Sequence, residues 1–215
     1  MKKKIVIKVG THVLNEQGVL CDERFSNLVN FLNDAMNSYD VIVVTSGAVA
    51  TGYSKIKLDK SNVKNRQALA AIGQPYLIHE YNERLEKHGH FGAQLLVTAD
   101  DFDSRKRTKR IRDAVEALTK HSILPIINEN DTTATEELIF GDNDQLSAHV
   151  THFLDADLLI ILSDIDGYYD DDPRVNENAK VKKNVDKIDE NELIMPLKAG
   201  STFGTGGIVT KLKAA

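Results

Sequence analysis

Two runs constrain the fold of this chain more than anything else in it: VIVVT at 41–45 and LLIIL at 158–162. Neither alternates polar with apolar residues, so neither can have one face in water. A short apolar run of this kind is buried on both faces, as in a parallel sheet covered from both sides. Further strand candidates lie at 4–9, 93–98 and 123–127. Segments of helical period stand between them. Residues 22–37 place Phe25, Leu28, Val29, Leu32, Ala35 and Met36 on one face. The segments 67–87, 106–121 and 145–154 have the same character, and Gly73 and Pro75 predict a break or kink in the first of these. Strand and helix thus alternate, and the expected fold class is α/β, a mostly parallel central sheet sandwiched by helices. Residues 132–141 are read as a small hairpin and 166–184 as loop with short strands. No linker divides the chain, so one domain is expected.

Composition narrows the function classes. Over 215 residues, 41% are hydrophobic and 27% charged, which supports a real core and excludes a disordered chain. No apolar run approaches the ~20 residues of a membrane span, and the N-terminal pattern fits no leader peptide. The one cysteine, Cys21, allows no internal disulfide and no cysteine-based metal site, so a cytoplasmic location is expected. A net charge of −5 argues against nucleic acid or an anionic membrane as main partner.

Open α/β sheets bind ligands at the carboxyl ends of their strands, near helix N-termini. The residues following the predicted strands are Lys8-Val9-Gly10-Thr11-His12, Thr45-Ser46-Gly47-Ala48, Asn128-Glu129-Asn130-Asp131 and Ser163-Asp164-Ile165-Asp166-Gly167. One such loop means little, because every turn needs small polar residues. Four at one edge mark a candidate site. A further loop, Gly204-Thr205-Gly206-Gly207-Ile208-Val209-Thr210-Lys211, is the sharpest local signal. Its glycines admit close backbone approach, the helix start behind them favours an anion, and Lys211 adds a point charge. Neither the common P-loop spacing nor a G-x-G-x-x-G fingerprint occurs. Lys8 ends a predicted central strand, where a lysine needs a partner; beside Gly10 it is read as a phosphate ligand. In Gly141-Asp142-Asn143-Asp144, helix capping accounts for one residue of four, and EF-hand spacing is not met. The basic cluster at 105–112 is read as a solvated helix face, and His149 and His152 as ordinary helix residues.

Together these loops resemble the amino acid kinase family. The resemblance runs through IVIKVGTHVL at 5–14, VIVVTSGAVATG at 41–52, RQALAAIGQ at 66–74, ILPIINENDTTAT at 123–135, FGDNDQLSA at 140–148, LIILSDIDGYYDDDPR at 159–174 and GTGGIVTKLKAA at 204–215. The INEND and GDND pair is the most specific part and resembles the branch that phosphorylates L-glutamate. The resemblance implies transfer of the γ-phosphoryl group of ATP to the side-chain carboxylate of L-glutamate, the first step of proline biosynthesis. Lys8 and Lys211 would hold the phosphoryl group and Asp144 would orient them. Ser46, Asp131 and Asn143 would bind glutamate. Lys8, Gly10, Ser163, Asp164, Thr205, Gly206, Gly207, Ile208, Val209, Thr210 and Lys211 would meet the nucleotide. Mg²⁺ would come with ATP, with no metal site of the protein's own. Proline is implied as feedback inhibitor, and a homo-oligomer is expected.

Three departures from the family's pattern stand out. His12 occupies a position where a small hydroxyl residue is commoner, and Ser163 replaces threonine. The chain also stops before the family's kinase domain normally ends. One kinase domain over 1–215 is therefore expected, shortened at its C-terminal end and without the RNA-modification-type domain of many members. The alternatives are a relative with a different acid or phosphate acceptor, and a non-catalytic amino-acid sensor; both lysines with Asp144 weigh against a sensor. The chemistry agrees with the kinase reading. A side-chain carboxylate with a pKa of about 4.3 is already ionised at neutral pH, so no general base is needed. The task is positioning and charge neutralisation.

Overall fold

The structure, a computed structural model, describes residues 2–16, 19–134, 143–164, 167–171 and 176–187, with Lys211, Lys213 and Ala214. In chain order the elements are β1 (Lys3–Val9), α1 (Thr11–Leu14), β2 (Asn15–Glu16), β3 (Val19–Leu20), α2 (Asp22–Ser38), β4 (Tyr39–Val44), α3 (Ala48–Lys55) and α4 (Val63–Leu85). There follow β5 (Phe91–Val97), α5 (Ala99–Phe102), α6 (Arg105–Lys120), β6 (Ile123–Glu129), α7 (Asn143–Phe153) and β7 (Leu158–Leu162). Five strands form a parallel sheet in the order β5-β6-β4-β1-β7, and β2 and β3 form a small antiparallel hairpin. The expected α/β sandwich is the observed one.

The two-residue period of the strands sorts the core into two layers. Ile5, Ile7 and Val9 of β1, with Val41, Val43, Leu124 and Ile126, pack on α2 and α4 through Phe25, Leu32, Leu77 and Tyr81. Val6, Ile42, Val44 and Ile127 face the other way and meet Phe102, Val115, Leu146 and Val150 of α5, α6 and α7. The same period points Lys8 into the second layer, toward α7. Lys8 lies opposite Val44 on one side and Ile161 on the other, deep in the middle of the sheet.

Two expectations need correction. The helix expected over 67–87 spans Val63–Leu85 and runs through Pro75 without interruption. Pro75 and Ala71 both lie on the exposed face, so water can serve the carbonyl that loses its N–H partner. The run LLIIL forms β7, but it is not buried on both faces: β7 is the edge strand of the described sheet, paired only with β1, and Leu158 is 51% exposed with the other four residues partly buried. The stretch after β4 forms a helix, Ala48–Lys55. Its sequence, AVATGYSK, is short and carries a glycine worth roughly 1 kcal/mol against helix formation. Packing overrides that preference. A Cβ on Gly52 would strike the Leu69 carbonyl, and one on Gly73 would strike the Ala48 carbonyl. The two glycines let α3 and α4 touch backbone to backbone, and α4 supplies the template that α3 lacks in isolation.

This contact predicts a specific sensitivity. Gly73→Ala should lower unfolding stability by about 1–3 kcal/mol, because the obstructing atoms are backbone and cannot swing aside. The midpoint of urea unfolding measures it, and an unchanged midpoint would show that α3 and α4 can separate freely.

Candidate active site

The carboxyl ends of β6, β4, β1 and β7 bring four predicted loops to one edge of the sheet. At its centre Lys8 is 2% exposed and Asp144 fully buried. Lys8 Nζ lies 2.6 Å from Asp144 Oδ1, and Lys211 Nζ lies 3.3 Å from Asp144 Oδ2. One carboxylate therefore holds two ammonium groups from opposite ends of the chain. A lone charge at this depth would cost several kcal/mol, on the order expected for an unpaired buried ion. Asp144 stands in the first turn of α7, where the helix dipole also favours a carboxylate. Two cations against one anion leave the cluster positive. Gly10 keeps the space beside it small and open: a Cβ there would lie 3.7 Å from Lys8 Nζ and 3.4 Å from the Leu162 carbonyl.

The preceding residue of α7 builds the other half. Asn143 Nδ2 donates to Ser46 Oγ at 2.9 Å, to Asn128 Oδ1 at 2.8 Å and to the Thr45 carbonyl. Three acceptors compete for two hydrogens, so an incoming acceptor can replace one without leaving the amide short. Ser46 is followed by Gly47 at φ +104°, a left-handed turn that starts α3 and costs a side-chain-bearing residue about 1–2 kcal/mol. Behind Thr45 its hydroxyl meets the phenol of Tyr81 at 3.0 Å. Asp131 is half-buried in the turn after β6. Burial pushes its carboxyl up to about 6, and the nearby charge of Arg66 opposes the rise. At the far edge Ser163 Oγ donates to Asp164 Oδ1 at 3.2 Å.

Lys8, Lys211 and Asp144 thus meet directly, as do Ser46 and Asn143, while Gly10 and Ser163 flank the lysines on adjoining strands. Asp131 follows β6, the strand on the other side of β4. His12 sits half-buried in α1, its carbonyl accepting from Arg24 at 3.3 Å. Thr205, Gly206, Gly207, Ile208, Val209 and Thr210 lie outside the described residues, as do Asp142, Asp166 and most of the expected hairpin at 132–141. Thr45 and Asn128 stood in the candidate loops of the sequence without a role of their own, and Tyr81 did not stand out at all. Asn128 was legible as the first residue of the N-E-N-D loop. Tyr81 was not, because it reads as one more apolar position on α4. Among the described residues no group of three or more His, Cys, Asp or Glu is placed to hold a metal, and no helix is long and apolar enough to cross a membrane.

The model of the amino acid kinase family matches residues 3–215. Glutamate 5-kinase of Leishmania donovani is 51% identical over 99% of this chain and 81% of its own length. Glutamate 5-kinase of Wolinella succinogenes is 49% identical over 99% of this chain and 84% of its own. Among solved structures, isopentenyl phosphate kinase of T. acidophilum superposes with a TM-score of 0.59 at 14% identity, over 82% of this chain and 76% of the other, which is a likeness of fold alone. The chain belongs to the amino acid kinase family, among its glutamate 5-kinases.

Proposed function

We propose that the chain transfers the γ-phosphoryl group of ATP to the side-chain carboxylate of L-glutamate, giving L-glutamyl 5-phosphate, the first step of proline biosynthesis. The observation that carries the reading is the buried Lys8–Asp144–Lys211 cluster beside the Ser46–Asn128–Asn143 network. The acceptor side lies at β4 and β6, where Ser46, Asn143 and Asp131 bind glutamate and Asp131 takes its ammonium. The nucleotide side lies at β1 and β7, with Gly10, Ser163 and Asp164; by the family resemblance Thr205, Gly206, Gly207, Ile208, Val209, Thr210 and Lys211 also contact the nucleotide. Between them Lys8 and Lys211 meet the phosphoryl group in flight. Asp144 touches no substrate; it fixes both amines so that no reorganisation is needed when charge develops. Mg²⁺ would come with the nucleotide and would neutralise phosphate charge. The chain is read as one kinase domain, working in the cytoplasm, in keeping with its single cysteine, and as a homo-oligomer.

Trapping of the acyl phosphate with hydroxylamine, in the presence of ATP and glutamate, tests the reaction. Lys211→Ala, chosen because Lys211 is the less buried lysine, should lower turnover by roughly 10²–10³, the usual effect of deleting one transition-state charge donor. Near-normal turnover would remove the phosphoryl-clamp role.

The carboxyl of Asp131 gives a pH signature. It must be ionised to hold an ammonium, and it takes up its proton near pH 6 in the free protein. kcat/KM for glutamate should therefore fall below that pH, by roughly tenfold per unit. Asp131→Asn should raise the KM for glutamate, leave that for ATP nearly unchanged, and abolish this acid limb. An intact acid limb in the variant would assign it to another group.

Proline is the proposed feedback inhibitor. It carries the same ammonium and carboxylate as glutamate but no side-chain carboxylate to phosphorylate, so it fits the acceptor pocket without turning over. Inhibition should be competitive with glutamate and weaken together with it in Asp131→Asn. Initial rates across a glutamate series, with and without proline, decide this; inhibition independent of glutamate would place proline elsewhere.

A further inference from the structure

The acceptor pocket rests on a hydroxyl that lies far below it in the core. Tyr81 is fully buried on α4, packed edge-on against Phe25 with ring centroids 4.7 Å apart. A phenolic O–H in such surroundings needs a partner, and it meets Thr45 Oγ1 at 3.0 Å. Either oxygen can donate in that pair, but the next contact gives a direction. Thr45 Oγ1 also lies 3.4 Å from the Ser46 carbonyl, which only accepts. A threonine hydroxyl has one hydrogen, so when Thr45 gives it to Ser46, Tyr81 is the donor to Thr45. The rest of Thr45 is anchored too. Its N–H donates to the Ile127 carbonyl at 2.9 Å, and its carbonyl accepts from Asn143. Burial pushes the Tyr81 phenol well above the usual tyrosine range, so it stays a donor at any working pH.

We infer that Tyr81 is a positioning residue for the acceptor substrate: through Thr45 it fixes the Thr45–Ser46 segment, and so aims Ser46 Oγ and the Asn143 amide at glutamate. The relay runs from the α2–α4 layer of the core, through the end of β4, to the pocket. It stops short of the Lys8–Asp144–Lys211 cluster, which is held by its own ion pairs. Loss of the relay should therefore act on one substrate and spare the other. An aromatic ring that merely filled the core would show no such asymmetry. The inference rests on the glutamate reading of the pocket given above.

Steady-state kinetics of the purified full chain, with glutamate and ATP varied separately, test it. Tyr81→Phe keeps the ring and removes only the hydroxyl; Thr45→Val removes the hydroxyl that receives it. Each should raise the KM for glutamate about tenfold while the KM for ATP stays within about twofold. The double variant should be no worse than the poorer single one, because both cut the same chain. Thr45→Ser, which retains the hydroxyl, should restore the KM for glutamate. A glutamate KM unmoved in Tyr81→Phe, equal losses for both substrates, or additive losses in the double variant would overturn the relay. If Tyr81→Phe does not fold, the Thr45→Val and Thr45→Ser pair decides alone: the same high glutamate KM in both, or no rise in either, overturns it. Asp131→Asn is measured in parallel. A raised glutamate KM there beside an unmoved one in Tyr81→Phe removes the relay and leaves the pocket assignment. No response in either removes the assignment itself.

Discussion

A carboxylate with no exposure to water, held between two ammonium groups, sets the terms for the rest of this molecule. The buried Asp144 carboxylate is paired with Lys8 and Lys211, and Lys8, at the end of a central strand, is paired with it in turn; an unpaired charge at that depth is costly. The three residues arrive from a strand, a helix and the far end of the sequence. Their meeting requires that β1 lie inside the sheet, that α7 cover that face, and that the chain return to the same edge. Each of these is a statement about topology. The parallel order β5-β6-β4-β1-β7 delivers all of them, since it gathers every strand's carboxyl end on one side.

The order of strands along that edge is also the order of the proposed chemistry. The proposed acceptor pocket lies at β6 and β4, Lys8 on β1, and the proposed nucleotide residues Ser163 and Asp164 after β7. Consecutive residues of α7 serve the two halves: Asn143 reaches toward Thr45, Ser46 and Asn128, while Asp144 reaches toward the lysines. On the proposed reading, one helix start thereby fixes the acceptor relative to the phosphoryl group. In a reaction that needs no base, that distance is most of what a protein can contribute.

The close contact of α3 with α4 belongs to the same design. Ala48, whose carbonyl rests against Gly73, comes two residues after Ser46. The turn at Gly47 is therefore tied to α4 by backbone packing on one side and by the Tyr81–Thr45 contact on the other. The proposed acceptor pocket is built on loops, but on loops clamped to the longest helix described in the chain, and this supplies the rigidity that loops otherwise lack.

The sequence by itself determined the α/β class, the strands at 41–45 and 158–162, and the edge at which a site must lie. These depend on local period and on apolar runs that do not alternate with polar residues, both of which survive in one dimension; that the second run would lie at an edge with Leu158 exposed was not legible there. It also supplied Lys8, Asp144 and Lys211, because a lysine inside an apolar strand and an acidic helix start each demand an explanation on their own. Apart from what the family resemblance implied for Asp144 and the two lysines, tertiary structure decided who answers whom. Nothing in the spacing of residues 8, 144 and 211 says that one carboxylate serves both lysines. Nothing in AVATGYSK says helix, since its propensity is poor and its stability is borrowed from α4. Pro75 argued for a break that solvent on the exposed face makes unnecessary. Tyr81 is the clearest case: its ring follows the helical period and reads as core, which it is. That its hydroxyl finds Thr45 depends on how α4 lies across β4, and that arrangement is fixed by packing between elements rather than by any pattern within one.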